Sequence, residues 1–128
     1  MRALAKRFGV IGCGYVGSAV ALHLRSQGVE LTGTTTGPAR LVELCDLVDH
    51  PRILRCGDPS ADFSVLDDLD GLLIAMAPTT ASYEEDQYRA VYGDAVHALV
   101  NALRERPRAR PLHVSYLSSA GIYGDQSG

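Results

Sequence analysis

Short apolar runs alternate along the chain with longer segments in which apolar residues recur at helical spacing. Brief runs that are continuously apolar, or rich in β-branched residues, and that end at glycine, proline or polar residues are typical of strands in a buried sheet. Five segments fit this description, and we predict strands over 8–11, 30–35, 52–56, 72–77 and 111–117.

The segments between these strands have the apolar period of amphipathic helices. We predict helices over 15–27, 38–48 and 82–105, and either a short helix or an irregular crossover over 63–69. Gly28 is expected to end the first helix and Pro38 to begin the second. The alternation predicts an α/β fold, a doubly wound parallel sheet of about five strands between two layers of helices.

Composition limits the classes of function. A chain of 128 residues that is 46% hydrophobic and 21% charged fits a single domain over 1–128. The net charge of −3 disfavours nonspecific binding of nucleic acid or of an anionic membrane. Three cysteines without a C-x-x-C pair favour a reducing cytoplasm, and four histidines without ligand spacing predict no metal site.

The stretch "GCGYVG" lies between the first predicted strand and the first predicted helix and has the spacing G-x-G-x-x-G. In this context Gly12 permits a tight turn, Gly14 lets a pyrophosphate approach the backbone, and Gly17 lets the helix pack on the strand. The motif predicts a Rossmann-type dinucleotide site, although a glycine turn used only for packing is the alternative. The intervening candidates for cofactor binding are Cys13, Tyr15 and Val16.

The second predicted strand lacks the carboxylate that usually holds the ribose hydroxyls about twenty residues after such a motif. Thr34, Thr35 and Thr36 occupy that place, Arg40 follows, and Glu30 lies too early. Hydroxyls and a guanidinium can bind a 2′-phosphate, which a carboxylate would repel. We therefore expect NADP to be preferred over NAD, with an exposed helical Arg40 as the alternative reading of that residue.

Further candidates follow the other strands. Asp58 either accepts the adenine amino group or serves as a turn residue. Cys13 is expected to fill the turn, the alternative being a redox-active thiol at a helix N-terminus. The end of the fourth strand supplies candidates at the sheet edge where ligands bind, namely Ala75, Met76, Ala77 and Pro78, of which Met76 is expected in the core.

The final stretch "YLSSAGIYGD" resembles the S-S-x-x-V-Y-G-D that ends strand five in the extended short-chain dehydrogenase/reductases. With "GCGYVGS" and "TGTT", it is most similar to the branch of bacterial proteins related to nucleoside-diphosphate-sugar epimerases, NAD(P)-dependent epimerase/dehydratase-like proteins. The resemblance implies that Ser119 is the catalytic serine, which would hydrogen-bond the reacting oxygen of a sugar nucleotide or related alcohol.

The same resemblance implies a Tyr-x-x-x-K pair about two dozen residues after Ser119, but the sequence ends at Gly128. We therefore expect the N-terminal part of such an enzyme, binding cofactor without turnover, with an apolar fifth strand through which chains associate. The alternative is a non-enzymatic dinucleotide-sensing or dimerising module. A membrane-anchored segment is the least favoured reading, because four glycines interrupt the apolar run near the N-terminus.

Overall fold

A single parallel sheet forms the centre of the molecule. The computed structural model describes residues 7–76, 90–106 and 111–117. Its strands are β1 Arg7–Ile11, β2 Glu30–Thr35, β3 His50–Ile53, β4 Gly71–Ile74 and β5 His113–Tyr116. Every pairing is parallel and the spatial order is β3-β2-β1-β4-β5. The predicted Rossmann-type α/β fold is thereby confirmed.

Helices connect the strands on both sides of the sheet. They are α1 Tyr15–Ser26, α2 Pro38–Leu44 and α3 Val96–Glu105, with a 3-10 helix at Phe63–Leu66 and a π-helical segment at Ala90–Ala95 before α3. Gly28 follows α1 with a φ of +79°, a conformation that favours glycine, and Pro38 opens α2. The predicted stop and start signals of these two helices are confirmed.

Two apolar clusters lie on opposite faces of the sheet, because neighbouring strand residues point to opposite sides. Val10 belongs to the cluster that includes Ala21 of α1 and Leu44 of α2. Ile11 belongs to the other cluster, with Leu99 of α3 and the 3-10 helix. This division produces the three-layer architecture.

The strand order places a switch point at β1. The chain runs from β1 outward to β2 and β3, and then returns to place β4 on the opposite side of β1. In sheets of this kind a crevice opens at the carboxyl ends of the strands where the order reverses. The turn that follows Ile11 borders this crevice.

Several predicted boundaries are wrong. The second helix ends at Leu44 and not near residue 48. The residues that follow form tighter turns, in which, for example, the Leu47 N–H donates to the carbonyl of Leu44, three residues earlier. The third strand begins at His50 and includes Pro51, which was expected to end the preceding region. Proline is tolerated there because β3 lies at the sheet edge, where half of the backbone groups need no partner strand.

Two further segments differ from their predictions in length. β4 ends at Ile74, so Ala75 and Met76 lie beyond the strand, at the carboxyl edge of the sheet. The predicted helix over 82–105 is confirmed at its C-terminal end by α3, whereas residues 82–89 lie outside the described part. Within the described ranges, no helix combines the length and apolar character needed to cross a membrane.

Candidate functional site

The turn after β1 requires glycine at its first position. Gly12 has a φ of +88°, which side chains of L residues rarely adopt. A Cβ at this position would lie 3.0 Å from both the backbone nitrogen and the Cα of Met76. The backbone that follows β4 therefore packs directly against the turn.

The other two glycines of the motif have opposite surroundings. A Cβ on Gly17 would lie 2.7 Å from the Gly12 carbonyl oxygen and 3.1 Å from Cγ1 of Val10, so helix α1 packs closely on β1 at this point. A Cβ on Gly14 would meet no atom of the described residues within 4 Å. Gly14 is the N-cap of α1 and is exposed.

Strand β2 holds the turn through one residue, Thr34. The Gly12 N–H donates to Oγ1 of Thr34 at 3.0 Å, and the Cys13 N–H donates to the Thr34 carbonyl at 2.8 Å. The Thr34 side chain is 1% exposed. The hydroxyl that the sequence suggests for a ribose contact is thus engaged with the glycine turn, and a direct cofactor contact by Thr34 remains a prediction.

Arg40 of α2 reaches the same turn. Its Nη2 donates to the Cys13 carbonyl at 3.0 Å, and its Nε lies 3.4 Å from Oε2 of Glu43. Ser18 also donates to the Cys13 carbonyl, through Oγ at 3.3 Å. The Arg40 side chain is half exposed, so it is positioned both to brace the turn and to meet an anion from solvent.

A second guanidinium lies beside the end of β2. Arg55 follows β3, and its Nε donates to the Thr36 carbonyl at 2.7 Å. Thr36 is exposed and Thr35 nearly buried. Arg55 was not predicted from the sequence, because the contacts to a 2′-phosphate were placed only at the end of the second strand and at Arg40. The pairing of parallel β3 with β2 was the signal that could have found it, since their carboxyl ends meet at one edge.

The Cys13 thiol is buried beneath the turn, where a Cβ on Gly33 would lie 3.0 Å from its sulfur. Burial raises its pKa to about 11, although the nearby Arg40 charge acts in the opposite direction. A thiol with this pKa is protonated at neutral pH and is a poor nucleophile. The geometry therefore supports the reading of Cys13 as a residue that fills the turn.

Asp58 has the contacts of a turn residue. Its Oδ1 accepts from the N–H of Ser60 at 2.9 Å and from the Ser60 hydroxyl at 2.8 Å. These bonds stabilise the carboxylate and lower its pKa. Of the two alternatives for Asp58, the turn role is observed, whereas the adenine contact remains a prediction.

The remaining candidates fall into two groups. The first group lies among the described residues. The Ala75 N–H donates to the Ile11 carbonyl at 2.8 Å, and Met76 packs against the apolar cluster beneath α3. Tyr15 and Val16 are the first two residues of α1. Three candidates, Ala77, Pro78 and Ser119, lie outside the described residues. Within those residues, no group of three or more His, Cys, Asp or Glu could hold a metal ion.

The turn offers an anion a suitable environment. The first turn of α1 contains no acidic residue, and its N-cap forms no side-chain hydrogen bond. Helix N-termini present backbone N–H groups and the positive end of the helix dipole. With the exposed position of Gly14, these features fit a pyrophosphate.

No protein-family model and no curated protein matches this sequence. Solved structures do match its fold. A protein of Bacillus halodurans assigned as an NAD-dependent epimerase/dehydratase aligns with a TM-score of 0.73 and 17% identity, over 93% of this chain and 54% of its own. A short-chain dehydrogenase/reductase variant from Serratia marcescens aligns with a TM-score of 0.70 and 18% identity, over 96% and 59%.

UDP-glucuronic acid 4-epimerase from Bacillus cereus, in complex with NAD, aligns with a TM-score of 0.65 and 20% identity, over 95% of this chain and 42% of its own. The chain therefore spans about half the length of these proteins. They are of the kind that the sequence resemblance predicts. The chain has the Rossmann-type fold found in solved NAD-dependent epimerases and short-chain dehydrogenase/reductases.

Proposed function

We propose that this chain binds a nicotinamide dinucleotide at the turn formed by residues 12–17. The observation that carries the proposal is the contrast within the motif. Gly12 and Gly17 are required by the fold itself, because added Cβ atoms would meet backbone atoms at 3.0 and 2.7 Å. A Cβ on Gly14 would meet no described atom within 4 Å, so packing does not require glycine there, whereas a bound pyrophosphate does.

We further propose that NADP(H) is preferred over NAD(H). The loop after β2 carries no carboxylate at the usual position, and Arg40 and Arg55 both contact backbone carbonyls close to it. Two guanidiniums and the exposed Thr36 hydroxyl suit the extra phosphate of NADP, which an acidic residue would repel. The solved B. cereus epimerase contains NAD, which supports a dinucleotide site in this fold. The preference of this chain for NADP(H) over NAD(H) then depends on Arg40, Arg55 and Thr36.

The reaction that we propose for the whole protein is epimerisation, dehydration or reduction of a sugar nucleotide or related alcohol. The nicotinamide, when bound, accepts or donates hydride. Ser119 would orient the reacting oxygen by a hydrogen bond, and a Tyr–Lys pair would move the proton in the complete enzyme. The 128-residue chain itself would bind cofactor without turnover.

Calorimetric titration with NADPH and NADH tests this proposal. We expect both to bind, with NADPH several-fold tighter, and we expect Arg40→Ala and Arg55→Ala each to reduce that ratio. Arg25→Ala is the matched control, because Arg25 lies near the far end of α1, where it donates to the Asp46 carbonyl. Equal affinity for the two cofactors would refute the NADP preference, and failure to bind either would refute dinucleotide binding.

A second candidate is a dinucleotide-sensing or dimerising module without catalysis. One observation favours it: β5 pairs only with β4 among the described residues and exposes Val114 and Tyr116 by 47% and 46%. An exposed edge strand can pair with another chain. Turnover of a sugar nucleotide by the whole protein would exclude this candidate, and cofactor-dependent dimerisation without turnover would support it.

A further inference from the structure

We propose that Thr34 is a positioning residue, whose buried hydroxyl holds the glycine turn in the conformation that receives the pyrophosphate. This inference rests on the proposed dinucleotide function. It gives β2 a part in binding the phosphates, in addition to the ribose contacts expected at its end.

The turn that follows β1 is held by β2. The register of β1 against β2 ends at the pair Val10 and Gly33. One residue after the strand, the Gly12 N–H donates a hydrogen bond to the Thr34 hydroxyl. The next N–H, that of Cys13, donates to the Thr34 carbonyl. A single residue of β2 therefore satisfies two consecutive donors of the turn, one of them through its side chain.

The other side of the turn is held by different groups. The Ala75 N–H donates to the Ile11 carbonyl, and the Met76 backbone lies against Gly12. The Cys13 carbonyl accepts from Arg40 and from Ser18. Among these contacts with the turn, the Thr34 hydroxyl is the only one made by a side chain that is almost fully buried, which suits a fixed support.

Loss of this hydroxyl would leave the Gly12 N–H without its acceptor in a partly buried place, a situation that proteins avoid. The turn can relieve this by rotating the Gly12 peptide toward solvent. Since Gly14 follows two residues later, the rotation would also displace the backbone that faces the phosphates. Apparent affinity falls in proportion to the fraction of molecules that keep the binding conformation.

The test compares two substitutions of Thr34 with a matched control. Thr34→Val keeps the shape and removes the hydroxyl, whereas Thr34→Ser keeps the hydroxyl. Thr32→Val is the control, because Thr32 is also buried on β2, two residues before Thr34 and on the same face of the strand. Affinities are measured for NADPH and for 2′-AMP, which lacks the pyrophosphate, at a temperature where every variant is folded.

We expect Thr34→Val to weaken NADPH binding about tenfold, equivalent to about 1.4 kcal/mol. Thr34→Ser and Thr32→Val should stay within about twofold of the wild type. A residue that only positions the turn leaves the affinity for 2′-AMP equal in every variant, whereas loss of the direct ribose contact predicted for Thr34 would weaken 2′-AMP binding as well. Amide hydrogen exchange in the ligand-free protein should show faster exchange at Gly12 in Thr34→Val, with protection restored in Thr34→Ser.

Unchanged NADPH affinity in Thr34→Val, no rescue by serine, or an equal loss of 2′-AMP affinity would overturn the positioning role while leaving the proposed function intact. Absence of NADPH binding by the wild type would overturn the proposed function and the positioning role together. The exchange rate at Gly12 would then still report whether Thr34 holds the turn. The two failures are therefore distinguishable.

Discussion

Gly14 and Gly17 stand three residues apart, yet an added methyl group would meet open space at one and backbone at the other. We predict that Gly17→Ala markedly lowers the free energy of unfolding, by about 2 kcal/mol or more, because α1 must move away from β1. Gly14→Ala should cost only about 1 kcal/mol or less, the usual range for an N-cap change. Urea denaturation of both variants measures the difference. Equal losses of stability would contradict the packing described for Gly17.

The cysteines provide a second prediction at this scale. Burial raises the pKa of Cys13 and of Cys56 to about 11, two units above the ordinary value of 9.0, whereas Cys45 is exposed. At pH 8 an aromatic disulfide reagent should label the exposed Cys45 quickly and the other two much more slowly, because burial both shields their thiols and raises their pKa. Cys45→Ser should abolish the fast phase. Labelling of all three thiols at one rate would contradict their burial.

The raised pKa values of Cys13 and Cys56 make the stability of the fold depend on pH. The folded state holds the thiol protons of Cys13 and Cys56 more tightly than the unfolded state, since their pKa values are raised in the fold. Their contribution to stability is therefore complete below pH 9 and is lost as pH rises from about 9 to 11. Replacement of both residues by alanine should flatten the decline of unfolding free energy over that range, as measured by denaturation at fixed pH values.

The role of an individual residue could be predicted from sequence where the local backbone conformation admits only one residue type. A positive φ beside a neighbouring strand admits little but glycine, so Gly12 could be identified from spacing alone. The roles of Thr34 and Arg55 could not, because each depends on which strand lies beside which. Their partners, the Gly12 N–H and the Thr36 carbonyl, are 22 and 19 residues away along the chain.

At the scale of elements, the sequence predicted the existence of each strand and helix. Several of their boundaries were predicted less accurately. β2 has its predicted bounds because β-branched residues and a neighbour on each side both define it. β3 lies at the edge, where pairing with β2 alone decides its extent, so the register and not the apolar pattern sets its start at His50. The π-helical segment at Ala90–Ala95 could not be distinguished from an α-helix by the spacing of its apolar residues.

The exposed β5 edge yields a prediction for the elements. We expect the 128-residue chain to self-associate at high concentration, because β5 pairs only with β4 among the described residues and exposes apolar side chains. Val114→Lys should shift the population toward monomer, since a charged residue disfavours edge pairing. Val42→Lys is the control, because Val42 is 75% exposed on α2, far from this edge in the strand order.

Light scattering over a concentration series measures this association. A clean monomer of the unaltered chain at high concentration would contradict it. An equal effect of the two lysine substitutions would mean that a general change of surface charge, and not strand pairing, governs the association.

For the whole molecule, the strand order determines where chemistry can occur. Two apolar clusters on opposite faces of the sheet fix the three layers, and the reversal at β1 brings the glycine turn, the end of β4 and the arginines after β2 and β3 to one edge. The alternation of strands and helices was sufficient to predict a parallel sheet with helices on both faces, because parallel crossovers are almost always right-handed. The strand order with its reversal at β1 comes from the structure. Substrate identity could not be predicted, since the same fold supports many reactions.

The most direct test of the account is calorimetric titration of NADPH into the wild-type chain and into Gly14→Ala. We predict saturable binding by the wild type and a loss of at least about tenfold in Gly14→Ala, because the added methyl group would occupy the space that the pyrophosphate needs. Urea denaturation would confirm that the variant is folded under the same conditions. Equal binding by the two proteins, or no binding by the wild type, would contradict a dinucleotide site at this turn.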